Sequence, residues 1–158
     1  MGSEFREFGV LTDGVVDLVV EEREPSNPAK RYCPCYHFGI LLHGKETKVG
    51  ELRLRIGAIE EFPSLLTSGH LGYEVGEAHR GKGYATRASL LASRIARAHG
   101  FRYLVITCDP ANVASRRTCE RLGARLVGEF DVPPDHSMYE KGRRRVCRYQ
   151  WELTDSPS

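Results

Sequence analysis

Gly72-Tyr-Glu-Val-Gly-Glu-Ala-His-Arg-Gly-Lys-Gly-Tyr-Ala-Thr86 reads as a strand that ends in a glycine-bearing turn and runs straight into a helix. Within it, Arg80-Gly81-Lys82-Gly83-Tyr84-Ala85 holds two glycines that let the backbone turn without a Cβ penalty, so several N–H groups can converge on one cluster of phosphate oxygens. The following helix adds its own unpaired N–H groups and the positive end of its dipole, about 0.3–1 kcal/mol per favourable contact. The stretch predicts an anion cradle whose natural guest is a diphosphate.

Working outward, Gly83 to His99 is a helix with Tyr84, Ala88, Leu91 and Ile95 on one face, closed by Gly100. Tyr103 to Thr107 is a nearly continuous apolar run, as expected of a strand covered on both sides. Asn112 is placed to cap a second helix, with Ser115, Thr118, Cys119 and Leu122 on one stripe and Gly123 at its end. Upstream, Val15 to Val20, Tyr36 to Leu42 and Lys48 to Arg55 have strand character. The last two form a hairpin across 43–47, and Pro25, Pro28 and Pro34 punctuate the segment before it. Arg125 to Asp131 and Arg145 to Leu153 read as the last strands; 56–69 and 132–142 read as loops, the first with a helical turn near Glu60. The expected fold is α/β, or α+β: a mixed, mostly antiparallel sheet of six to seven strands flanked by helices.

Arg80, Gly83 and Ala85 fit the pattern Arg-x-x-Gly-x-Ala, and Asn112-Val-Ala-Ser-Arg-Arg-Thr-Cys-Glu-Arg-Leu-Gly-Ala124 follows as an Asn-led helix ending in Glu-Arg-Leu-Gly. Together these motifs resemble the GNAT superfamily of acetyl-coenzyme A-dependent N-acetyltransferases. The Gly-Tyr-x-Val strand, the Gly-Tyr-Ala-Thr turn and the Ser after Asn-x-x look like the branch of ribosomal-protein alanine acetyltransferases and related bacterial enzymes. The resemblance implies that the strands at 71–75 and 103–107 run parallel and splay apart, with the cofactor's pantetheine arm in the gap. It also implies that acetyl-coenzyme A is the cosubstrate and that a primary amine attacks its thioester directly in a ternary complex. Backbone N–H groups from Gly81 to Ala85 would take the pyrophosphate, with Arg80 and Lys82 adding charge. Asn112, with Ser115, Arg116 and Arg117 nearby, would hold the pantetheine end, and backbone groups from Tyr73 to Val75 would bond the pantetheine peptide as an added strand does.

The chemistry needs a base and an acid. A lysine-like acceptor is neutral in roughly one molecule per thousand at pH 7.4, so Glu74 and His70, which share strand parity, are candidate bases, with Glu51 a third. Many relatives protonate the departing thiolate with a tyrosine seven residues after the motif asparagine. Here that position is Cys119, a candidate donor or a small core residue, and Tyr139 is an alternative. A second departure lies at residues 21–35, whose prolines leave little room for the two helices that commonly wall the acceptor site. Two rivals stand beside the enzymatic reading. One is a coenzyme A-binding regulator on the same fold. The other is a nucleotide-binding P-loop at Gly76–Gly83, which lacks the magnesium-binding Ser or Thr after Lys82.

The 158 residues, 41% hydrophobic and 28% charged, suit one domain. Residues 1–5 read as a cloning-site scar, 6–153 as the domain and 154–158 as a tail. No apolar run approaches a membrane span and no leader is evident, which points to the cytoplasm and to no membrane partner. A net charge of +2 does not call for nucleic acid, although Lys141, Arg143, Arg144, Arg145 and Arg148 are locally basic. Five cysteines fit a reducing compartment, and the spacing in Cys33-Pro-Cys35-Tyr-His37 is no recognised chelate, so no metal is expected. Partners are acetyl-coenzyme A and an amine, and the protein is a monomer or homodimer.

Overall fold

A computed structural model describes residues 5–153. Its centre is an eight-stranded sheet: β1 (Leu11–Thr12), β2 (Val16–Glu24), β3 (Cys35–Leu42), β4 (Lys48–Arg55), β5 (Leu71–Val75), β6 (Tyr103–Cys108), β7 (Arg125–Asp131) and β8 (Arg145–Glu152). The spatial order is β1-β2-β3-β4-β5-β6-β8-β7. Every pairing is antiparallel except β5 with β6, which run parallel and meet at one pair, Leu71 opposite Ile106. Beyond that pair the strands part, as the resemblance implied.

The helices are α1 (Leu65–Ser68), α2 (Tyr84–Ala98), α3 (Val113–Arg121) and α4 (Ser137–Glu140). The predicted stripe of α2 faces the sheet: Ala88, Leu91 and Ile95 are buried, Tyr84 is half-buried, and the helix packs on β2, β4 and β5. They share one core with Leu18, Phe38, Leu52, Leu54 and Leu104, and each buried large aliphatic side chain contributes about 1.5–3 kcal/mol. Asn112 caps α3 as expected, its Oδ1 accepting from the Ser115 N–H at 3.1 Å.

Three features depart from the expectation. The eighth strand is β1, a two-residue strand too short for a periodicity to betray. β2 continues through the acidic stretch to Glu24, past a register shift between Val20 and Glu22, because its carboxylates stay out of the core. The loop 56–69 carries α1 rather than a helical turn at Glu60, which lies in a non-helical turn, and 132–142 carries α4. Residues 25–34 form no helix; they turn through an Asn27–Tyr32 bridge straight into β3.

The face of β6 turned away from α2 is covered by α1. The Thr107 hydroxyl donates to the Thr67 carbonyl at 2.7 Å and Arg148 Nε to the Leu66 carbonyl at 2.6 Å, which pins α1 over β6 and β8.

Candidate active site

The parting of β5 and β6 opens a cavity of about 160 Å³ lined by Gly72, Tyr73, Cys108, Asn112, Ser115 and Arg143, among others. The turn leading to α2 follows β5. Gly81 and Gly83 both lie in the left-handed region, at φ 80° and 79°, where a side chain would be strained. Gly83 is the N-cap of α2 and offers no side-chain acceptor, so the first-turn N–H groups keep their capacity for an anion. Lys82 is exposed, while Tyr84 and Ala85 are half-buried. Arg80 is committed locally: its Nε donates to the Val75 carbonyl at 3.0 Å and ties the turn to the end of β5.

Inside the gap the polar groups form a ring. The Tyr73 hydroxyl reaches across to α3, 3.1 Å from Ser115 Oγ, 3.3 Å from the Ser115 carbonyl and 3.7 Å from Cys119 Sγ. Cys108, at the end of β6, lines the same gap as Ser115. The neighbouring Cys119 draws the Cys108 thiol below its usual range against its burial, with help from Ser115 and Arg116. Cys108 in turn, together with burial, holds Cys119 far above the usual thiol range. Burial likewise pushes the Tyr73 phenol well up, so it keeps its proton at any working pH.

The candidate residues outside this ring fall in different settings. His70 lies just before β5 with its ring turned inward, and only 1% of it is exposed. Its Nδ1 accepts from the Val105 N–H at 3.0 Å, and its Nε2 donates to the Gly57 carbonyl at 2.9 Å. Burial lowers its pKa below the usual 6.5, so it is a neutral imidazole with both nitrogens engaged. Glu74 is exposed on β5, directly opposite Glu51 of β4, which is paired with Lys48 at 3.1 Å. Tyr139 lies on α4 beneath the Arg144 guanidinium, 3.7 Å from the ring centre; it is Arg143 of that segment that lines the gap. Arg116 donates to the Tyr149 hydroxyl at 3.1 Å and to the Pro110 carbonyl at 3.3 Å, whereas Arg117 is exposed.

Residues 14–125 match the model of the acetyltransferase (GNAT) domain. The chain belongs to the GNAT family of N-acetyltransferases. No curated protein sequence matches it. Among solved structures, the ribosomal alpha-N-protein acetyltransferase RimL in its apo form is 17% identical over 93% of this chain and 99% of its own, with a TM-score of 0.63. The ribosomal-protein-S5-alanine acetyltransferase from Vibrio fischeri is 20% identical over 78% of this chain and 64% of its own, at a TM-score of 0.59. The microcin C7 self-immunity acetyltransferase MccE, in complex with acetyl-CoA and AMP, is 21% identical over 75% of this chain, with a TM-score of 0.57. The chain spans only 61% of MccE's length. At such identities the likeness shows the fold alone.

Cys108 and Arg143 line this GNAT gap without having been singled out from the sequence as side chains for it. Tyr73 was, but for its backbone; its phenol is the unforeseen part. Strand parity could have paired Tyr73 with the apolar face, yet nothing local says that its hydroxyl meets α3. Strand pairing also brings Glu24 to Cys35 and His37, their ligand atoms all within 4.8 Å of one another, a third donor that the Cys-x-Cys-x-His spacing hides. There the His37 ring and Glu24 carboxylate already bond at 2.8 Å, and Arg53 and Arg55 stand across β4, cations facing any incoming cation. Among the described residues no helix is long and apolar enough to cross a membrane.

Proposed function

We propose that the protein transfers an acetyl group from acetyl-coenzyme A directly to a primary amine within a ternary complex. The observation that carries this reading is the gap between β5 and β6 lying beside the uncapped start of α2, so that one extended thioester cofactor meets both. On this reading the N–H groups of Gly81 to Ala85 hold the pyrophosphate, with Lys82 adding charge and Arg80 bracing the turn. The backbone of Tyr73 to Val75 pairs with the pantetheine amides and polarises the acetyl carbonyl, and Asn112 and Ser115 hold the pantetheine from α3.

The amine nitrogen attacks the thioester carbon, the C–N bond forms, and the C–S bond breaks with its electron pair on sulfur. The amine's surplus proton leaves through water toward Glu74, the one exposed carboxylate on β5. His70, whose ring nitrogens are both engaged, holds the loop 56–69 to β6 instead. With residues 25–34 forming a turn, the acceptor side is open, which suits an amine on a protein chain end or a small molecule alike.

The deciding experiment is calorimetry with acetyl-coenzyme A, followed by thiol release across an amine panel. Tight binding with amine-dependent release supports the reading. Thermal stabilisation without release makes the protein a coenzyme A binder, and no binding ends both. Glu74→Gln is expected to lower kcat about 10- to 100-fold below the acceptor's pKa and to leave Tm unchanged; an unaltered kcat removes Glu74 from the mechanism.

A further inference from the structure

We infer that the Tyr73 phenol, relayed by Ser115, is the proton donor to the departing coenzyme A thiolate, taking from β5 the part that many relatives assign to a tyrosine on the helix at the position of Cys119. The inference rests on the acetyltransferase reading and deepens it. Cys119 leaves no hydroxyl at that helix position, but the vacated space is not apolar. The Tyr73 oxygen enters it from the opposite wall, 3.7 Å from Cys119 Sγ and 3.1 Å from Ser115 Oγ. Both Tyr73 and Ser115 line the gap in which the thioester would lie.

Three groups of the ring could in principle donate, and their chemistry separates them. Cys108, whose thiol is drawn below its usual range beside Cys119, holds its proton less firmly than an ordinary thiol and is the weaker candidate as the pH rises to free the acceptor amine. Cys119 is fully buried and is not among the residues that line the gap. Tyr73 lines the gap and stays protonated throughout, because burial opposes its ionisation. That same burial acts on a thiolate released into the gap and raises its basicity too, which favours its taking the proton from the phenol. In the step itself the C–S bond breaks, the sulfur takes the electron pair, and the Tyr73 O–H proton passes to sulfur. The phenol is restored from Ser115 and then from water as the product leaves.

The test needs no known acceptor. Coenzyme A, the thiol product, is bound to wild-type protein, Tyr73→Phe and Ser115→Ala, and its thiolate is titrated by ultraviolet absorbance. The identical titration with desulfo-coenzyme A is subtracted to remove the protein's own thiols and phenols. A donor at the sulfur stabilises the thiolate, so in Tyr73→Phe the bound thiol should ionise about one pH unit higher, the tenfold effect of a lost charge-assisted hydrogen bond. Ser115→Ala should shift it in the same direction. With the most active amine of the panel, Tyr73→Phe should lower kcat about 100-fold while KM for acetyl-coenzyme A changes less than about threefold. An unshifted titration in Tyr73→Phe that still binds coenzyme A overturns the assignment alone. Loss of coenzyme A affinity with unchanged kcat overturns it in favour of a packing role. Failure of the wild type to bind coenzyme A overturns the acetyltransferase reading as well.

Discussion

At the scale of the residue, His70 shows how a side chain with the right chemistry can be spent on architecture. Its ring joins the Val105 N–H of β6 to the Gly57 carbonyl and lies edge-on to Phe101 at 5.2 Å, so three segments depend on it. His70→Ala leaves a buried donor and a buried acceptor unpaired, each worth about 1–3 kcal/mol, and a total loss of about 2–4 kcal/mol is expected in urea unfolding. Activity per folded molecule should stay within about threefold of wild type. A hundredfold drop in kcat with stability preserved would show instead that the imidazole acts on the substrate.

At the scale of the element, the β5–turn–α2 unit was readable because its signals are local: two glycines, a stripe at helical spacing, a terminal glycine. Each carries a physical reason that depends on no distant residue. Glycine at 83 is required by φ 79°, and Gly83→Ala should destabilise by about 1 kcal/mol and weaken acetyl-coenzyme A binding by crowding the phosphate cradle. Gly72 offers the complementary case. It lines the gap, no left-handed φ constrains it, and a Cβ built there meets nothing within 4 Å. Gly72→Val should therefore leave Tm within a few degrees of wild type and cut acetyl-coenzyme A affinity at least about 100-fold; calorimetry showing wild-type affinity would mean that the pantetheine does not run along β5. What stayed illegible is what long-range pairing creates. β1 exists only because Leu11 and Thr12 find Leu18 and Asp17, and α1 and α4 are single turns too short for a period. The Tyr73 hydroxyl finds its partners 42 and 46 residues away, a meeting no spacing rule encodes.

At the scale of the whole molecule, two histidines tie separate elements together, a third caps a helix, and the three make the fold sensitive to mild acid. His70 joins β6 to the loop 56–69, and His99, just past α2, bonds the Tyr36 hydroxyl of β3 at 2.7 Å. His136 caps α4, its Nδ1 accepting from the Met138 N–H at 3.0 Å. Burial lowers the pKa of all three below the usual 6.5. A base whose folded pKa is depressed is protonated more readily in the unfolded chain, so its contribution is fully present above about pH 6.5 and is lost as the pH falls toward the folded values. Asp13 adds a later step. Burial raises its pKa, but the Val16 and Val15 N–H groups and Arg87 outweigh that and lower it below 3.8, so its contribution is lost only under strong acid. The histidine contribution to the thermal profile is thus flat from pH 7 to 8.5 and declines between pH 6.5 and 5, well before carboxylates titrate. His99→Gln, which removes one titrating group at a half-buried site, should make that decline shallower even as it lowers Tm at neutral pH. Melting curves that stay level from pH 7 to 5 would mean that these imidazoles accept protons in the folded state as readily as in water. The same linkage leaves the protein at full stability in the alkaline range, where the fraction of neutral amine rises tenfold per pH unit, so stability and acetyl transfer would favour the same conditions.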